Sequence, residues 1–304
     1  MTQRSGNTEI TKQDKIKSSP PTGFQVIMRE FKKDKLAMFS LILLGLIIVG
    51  VYVAALFIDQ EEIMRISIRG KYAEPGDGFI LGADHGGRSI LGQLIIGARN
   101  SITIAIIITI ITGIAGVVIG LVTGYFGGFI DNLFMRIIDF FMTLPTLMII
   151  IVFVTIIPKY SVTAFILIMS AFLWIGTARL IRSKSLSESR RDYVSASKTM
   201  GTRNSTIIFK EIMPNLSSII IVDLTLNFAG NVGIETGLSF LGFGLPPTTP
   251  SLGTLVSYAA NPEILSTKLW IWLPAALLIL VLMLGINYVG QALRRSADAR
   301  QRLG

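Results

Sequence analysis

Asp192-Tyr-Val-Ser-Ala-Ser-Lys-Thr-Met-Gly201, followed by Ile207-Ile-Phe-Lys-Glu-Ile-Met-Pro214-Asn215, forms the centre of a polar island between long apolar runs. The island extends from Arg179 to Glu211. It holds eight basic residues (Arg179, Arg182, Lys184, Arg190, Arg191, Lys198, Arg203, Lys210) against three acids. A charged segment of this length, set in a chain otherwise suited to lipid, reads as a place where another component docks.

The surrounding runs set the fold class. Of 304 residues, 51% are hydrophobic and 15% charged, with a mean hydropathy of +0.63. These values describe an all-α, polytopic membrane protein. Six segments meet the requirement of about 20 mostly apolar residues for crossing a ~30 Å hydrocarbon core: Leu36–Ile58, a helix within Asn100–Ile130, Leu133 to about Pro158, Tyr160–Ala178, Ile212–Ile234 and Leu269–Leu293. The first run is longer than the 7–15 apolar residues of a cleavable signal, so it reads as a retained helix.

Lys and Arg placement gives an orientation. Arg4, Lys12, Lys15, Lys17, Arg29, Lys32, Lys33 and Lys35 precede the first span, and Arg294, Arg295, Arg300 and Arg302 follow the last. With the island, these clusters put both termini and the 179–214 segment in the cytoplasm. The charge-balanced stretch 59–96 then faces outward. The expected organisation is a tail at 1–22, a juxtamembrane and first membrane helix at 23–58, the outward loop at 59–96, a membrane domain at 97–296 and a tail at 297–304. The net charge of +9 is thus a topology signal. Its bases flank membrane spans without an aromatic-interleaved face, which argues against a nucleic-acid partner.

Absences narrow the chemistry. There is no cysteine, and His85 is the only histidine, leaving no metal-ligand set. No G-x-x-x-x-G-K-S/T loop and no nucleophile–base–orienter trio occur, so no catalytic residue is assigned and the chain reads as a non-enzyme.

Several positions stand out within the runs. Phe24, Ile27, Met28 and Phe31 recur at helical spacing beside lysines, as in an interfacial helix or an extension of the first span. Gly116, Gly120 and Gly124 share one helix face, where small residues permit close helix packing. Pro145 and Pro274 are expected to bend the third and sixth spans. Arg136 and Asp139 are spaced to pair. Asp223, Asn227 and Asn231 form a polar stripe along the fifth span. An intramembrane carboxylate costs about 2.5–3.5 kcal/mol on insertion scales, so Asp223 marks either a translocation path or a polar partner inside the bundle. Glu235 ends this segment near the outer surface.

The island resembles the cytoplasmic coupling motif of ABC importer permeases: Glu-Ala-Ala, three residues, Gly, nine residues, then Ile-x-Leu-Pro. Here Ser195-Ala196-Ser197 is followed by Gly201 and by Glu211-Ile212-Met213-Pro214, with Ser195 at the glutamate position. Further stretches resemble the second membrane subunit of the oligopeptide/dipeptide branch. They are Leu81-Gly-Ala-Asp84-His-Gly-Gly-Arg88, Gly124-Tyr-Phe-Gly-Gly128-Phe-Ile-Asp131, Glu235-Thr-Gly-Leu-Ser-Phe-Leu-Gly-Phe-Gly244 and Pro250-Ser-Leu-Gly253.

The resemblance implies one N-terminal helix plus a five-helix core forming half of a pore for peptides in a bacterial cell membrane. It also implies a homologous second permease subunit, two cytoplasmic ATPases that use ATP and Mg, and an extracytoplasmic substrate-binding protein; this chain itself would bind no cofactor. Tyr193, Ser195, Ala196, Ser197, Met200, Gly201 and Pro214 would make the ATPase contact, with Tyr193, Ala196, Ser197 and Met200 on one face of a short helix. Nickel, a metallophore or glutathione are alternative cargoes for the same architecture. A stand-alone secondary transporter using Asp223 is the alternative of another class.

Overall fold

The computed structural model of the chain describes residues 29, 31–157, 161–246 and 248–301, with side chains given through residue 297. The expected tail at 1–22 and the aromatic and aliphatic positions 24, 27 and 28 lie outside the described residues. Helix α1 (Lys35–Ala55) begins at Asp34, whose carboxylate accepts the Ala37 N–H at 3.0 Å and the Arg295 guanidinium at 2.9 Å. These contacts hold that carboxyl below the usual carboxylate range, and they tie the start of α1 to the last helix.

Helix α2 (Ile90–Phe126) starts ten residues before the apolar stretch that announced it. Ser89 caps it through the Gly92 N–H, and the uncharged turn after the cap lets the helix start there. At 1.5 Å per residue its 37 residues reach about 55 Å, well past a ~30 Å core. The expected third span is two helices, α3 (Gly128–Met142) and α4 (Thr146–Ile156), bent by 82° where Pro145 follows the break. Proline has no N–H to donate and disfavours helical geometry in the residue before it.

Helix α5 (Val162–Glu188) runs ten residues beyond the expected end of the fourth span, so the first third of the polar island is helix, not loop. Helix α6 (Asp192–Thr199) follows, and then Asn204–Thr206, a π-helical turn Ile207–Ile212 and α7 (Met213–Phe240) form one rod. Short helices α8 (Leu252–Ser257) and α9 (Pro262–Thr267) precede α10 (Leu269–Gln301), which continues through Pro274 and through the start of the expected C-terminal tail. By length and apolarity, α1, α2, α5 and α10 can cross a membrane, and the bent α3–α4 pair makes up to five. The remaining expected span is the 28-residue α7, with Asp223, Asn227, Asn231 and Glu235 along it.

The centre of the bundle is the contact between α2 and α5. A Cβ on Gly116 would sit 2.7 Å from Thr177 Cβ; on Gly120, 2.7 Å from the Ala178 carbonyl oxygen; on Gly124, 2.6 Å from the Arg182 carbonyl oxygen. Backbone meets backbone, so no side-chain rotation relieves a larger residue. Helix α3 crosses the same part of α5. There Asp131 receives two hydrogen bonds from Arg182, at 2.6 and 2.5 Å, and Asp139 lies 3.8 Å from Arg179. Asp139 therefore faces Arg179 across the helix crossing instead of pairing with Arg136 along its own helix.

At the opposite end, Asp84 is fully buried and organises the 59–96 loop. It accepts from the Gly86 and Arg88 N–H groups, Gln93 Nε2 and the Tyr258 hydroxyl, and pairs with Arg88 at 3.0 Å. Burial, and then the Asp84 charge, push the Tyr258 phenol up to about 12. His85 packs edge-on against Tyr258 with ring centroids 5.3 Å apart.

Gly120→Val is expected to overpack the α2–α5 contact and destabilise the detergent-purified chain by about 1–3 kcal/mol. Gly176→Val serves as the control, because a Cβ added at that helical glycine would meet nothing within 4 Å. Thermal unfolding of the two variants checks this; equal midpoints would remove the packing role.

Candidate functional site

Helix α6 is short, amphipathic and fixed from behind. Val194 is fully buried against Tyr125, Ile181, Ile207 and Ile212. Ser197 donates a 2.8 Å hydrogen bond to Glu211 Oε2 on the rod. Tyr193 donates to Glu188 Oε1 at 3.1 Å and accepts from Asn215 Nδ2 at 3.2 Å, and burial raises its phenol pKa. Lys198 Nζ lies over the Tyr125 ring, 4.5 Å from its centroid, and the Tyr125 hydroxyl reaches Asn204 Oδ1 at 2.7 Å.

The helix closes on a Schellman turn. Thr202 N–H bonds the Ser197 carbonyl and Gly201 N–H the Lys198 carbonyl, both at 3.0 Å, with Gly201 at φ +79°. Only glycine holds that backbone angle without a Cβ penalty. The consequence is a helix with its outer face bare: Ser195, Ala196 and Thr199 are exposed, and Met200 is 77% exposed.

This geometry divides the residues expected to form one contact face. Ser195, Ala196, Met200 and Gly201 lie outward. Tyr193 and Ser197 turn toward the bundle, where their hydrogen-bond partners anchor the helix. Pro214 lies inside the rod, the preceding turn having widened to π geometry. Proline lacks the N–H and crowds the carbonyl four residues back, and a π turn is a common accommodation where the regular ladder is interrupted.

The stripe on α7 does not face an open channel along its length. Asn231 is 4% exposed and donates to Thr109 Oγ1 on α2 at 2.9 Å. Asn227 Nδ2 donates to Thr177 Oγ1 on α5 at 3.0 Å and to Asp223 Oδ2 at 2.9 Å, and Thr177 itself donates to Asp223 Oδ2 at 2.7 Å. The Asn231 amide nitrogen is thereby engaged inside the subunit. Asp223 has both a structural partner and an open side. It lines a cavity of about 250 Å³ between α5, α7 and α10, together with Lys184 and Arg294.

Glu235, expected near the outer surface, is the fourth member of the ladder and is wholly buried. Ser101 and Ser239 donate to it at 3.0 Å each, and the Leu252 N–H bonds Ser101 Oγ at 3.0 Å, joining α2, α7 and the start of α8. The four-residue step from Asn231 was the sequence signal for its inward aim. Nothing in the sequence marked Thr109, Thr177 or Ser101 as the partners.

Comparisons with known proteins agree with this architecture. Residues 116–302 match the family model described as binding-protein-dependent transport system inner membrane component, and residues 22–69 match the N-terminal TM domain of oligopeptide transport permease C. The oligopeptide transport system permease protein of Lactococcus lactis strain IL1403 is 52% identical over 276 residues, covering 90% of this chain and 94% of the relative. The corresponding Bacillus subtilis protein is 32% identical, covering 95% and 93%. A dipeptide transport system permease protein of Haemophilus influenzae is 30% identical, covering 93% and 96%. The chain belongs to the binding-protein-dependent transport system inner membrane component family, as a permease subunit of an ABC importer.

Proposed function

We propose that this subunit forms half of a pore for oligopeptides and converts the closure of two cytoplasmic ATPases into movement of its spans through α6. The observation that carries the reading is the contrast between the two sides of α6. Its back is clamped by Val194, Ser197 and Tyr193, and its front exposes small residues and Met200. A rigid helix with a low-relief front can seat in a cleft on an ATPase and transmit force through the Ser197–Glu211 bond to the rod that becomes α7. ATP and Mg belong to those partners. A homologous second permease subunit completes the pore, and an extracytoplasmic binding protein delivers cargo.

The orientation follows the basic clusters: both termini and α6 are cytoplasmic, in a bacterial cell membrane. The peptide assignment rests on the oligopeptide and dipeptide transport systems to which the relatives belong. Nickel, metallophore or glutathione import would use the same architecture. A stand-alone secondary transporter has one feature in its favour, the Asp223 side chain lining a cavity. Uptake by the chain alone in liposomes, without ATP or partner subunits, would establish that reading and overturn the importer.

Gly201→Val places a β-branched residue at φ +79°, a conformation that costs roughly 1–2 kcal/mol for an L-residue. Together with Met200→Asp on the exposed face, it is expected to abolish most ATP-dependent peptide uptake while membrane insertion stays normal. Wild-type uptake in both variants would exclude α6 as the contact. Glu211→Gln weakens the charged hydrogen bond behind α6, for which about 1.5–3 kcal/mol is usual. At 1.4 kcal/mol per factor of ten, amide exchange across 192–200 is expected to speed by about tenfold. Unchanged exchange would show that Glu211 does not hold the helix.

A further inference from the structure

The cavity beside Asp223 has an arrangement of charge that the pore reading does not by itself use. Its walls are Leu180 and Lys184 from α5, Val222, Asp223 and Leu226 from α7, and Arg294 from α10. Lys184 is four residues before the end of α5 and Arg294 is in the last quarter of α10, so the cavity lies at the island end of the bundle. Both cations are exposed, and among the described residues neither has an ion-pair partner. Asp223 is half-buried, and its internal hydrogen bonds from Thr177 and Asn227 both end on Oδ2. Oδ1 accepts none among the described residues.

An apolar-walled cavity with an unused carboxylate oxygen and two unpaired cations is complementary to a zwitterion. An anionic phospholipid would satisfy Lys184 and Arg294, but its acyl chain would then lie against the Asp223 carboxylate, leaving that charge in an apolar contact. A peptide end avoids this conflict. Its ammonium donates to Oδ1, small side chains meet Leu180, Val222 and Leu226, and its carboxylate, in a short peptide, is drawn to the two cations. The volume of about 250 Å³ is just below the usual range for ligand pockets, about 300–1,000 Å³, which suits the end of a chain and not a whole oligopeptide.

We infer that this cavity binds the ammonium terminus of a peptide from the cytoplasmic side, with Asp223 as the recognising group, and that occupancy slows further import. The inference rests on the importer and orientation readings above. A ligand that binds an inward-facing arrangement more tightly than the outward-facing one shifts the population toward the former, which retards the cycle by at most the ratio of its affinities for the two states.

The test uses the complete importer in proteoliposomes energised with internal ATP, with uptake of an external labelled peptide measured against internal unlabelled trialanine, N-acetyl-trialanine or trialanine amide. Internal trialanine is expected to slow uptake several-fold in the wild type. Trialanine amide, which keeps the ammonium, also inhibits, whereas N-acetyl-trialanine does not. Asp223→Asn removes the inhibition by both active peptides. Lys184→Gln with Arg294→Gln weakens inhibition by trialanine but leaves that by its amide unchanged.

Equal inhibition by the acetylated peptide, or undiminished inhibition in Asp223→Asn, overturns the inference. So does retention by Lys184 and Arg294 of a co-purifying anionic lipid that trialanine does not displace. Should Asp223→Asn transport too slowly to read, equilibrium binding of labelled trialanine to the nucleotide-free complex decides, with equal binding by variant and wild type overturning the inference. Absence of any ATP-dependent uptake by the wild type with empty vesicles is a separate failure, that of the importer reading itself.

Discussion

Water is absent from the hydrocarbon core, so each polar group carried into it needs a partner within the protein. In this subunit that requirement is concentrated on α7. Asp223 and Asn227 meet Thr177 on α5, Asn231 meets Thr109 on α2, and Glu235 meets Ser101 on α2. These rungs specify which face of α7 is turned inward, and they do so at two depths on α2 and one on α5. The close α2–α5 approach at Gly116, Gly120 and Gly124 brings those hydroxyl-bearing faces into one surface. The ladder and the glycine contact are therefore interdependent, and together they make α2, α5 and α7 a single body.

Such a body suits a part that must move without deforming. α6 is bonded to the rod at Glu211, and the rod's far end, at Glu235, reaches the start of α8 by way of Ser101 and the Leu252 N–H, so a push on α6 would have a continuous route along it. Glu211 and Glu235 are thus linked by one continuous helical rod, whereas α3 and α4, broken at Pro145, are not. Rigid-body rocking is the motion this division favours.

Much of this was legible in the sequence because it depends on period and composition. Apolar runs announced the membrane helices and the four-residue glycine step announced a close contact, while the short helix came from the resemblance of the Gly201–Pro214 frame to the importer motif. Boundaries were less legible. Helix α2 begins at Ser89 because a cap decides helix entry, and α5 overruns into the island because arginine, lysine and leucine are all good helix formers. The inward turn of Tyr193 and Ser197 was hidden because α6 has small or amphipathic side chains on every side, and only their partners on the rod choose between faces. Likewise Glu235 looked like a surface acid because one of its partners, Ser101, comes from α2, although Ser239 stands four residues on in its own helix.

The π turn at Ile207–Ile212 has a consequence for the phase of the rod. Each residue advances an α-helix by about 100°, and a π turn absorbs one more residue than an α turn without breaking the rod. The angular relation between Glu211, which faces α6, and the Asp223–Glu235 edge, which faces α2 and α5, is consequently set by that surplus residue. Removing it would let the ladder return to uniform α geometry and turn one of these two faces away from its neighbours by about a quarter of a revolution. The irregular turn acts as a rotary offset, matching the α6 contact and a buried polar edge that a perfectly regular helix would leave out of step.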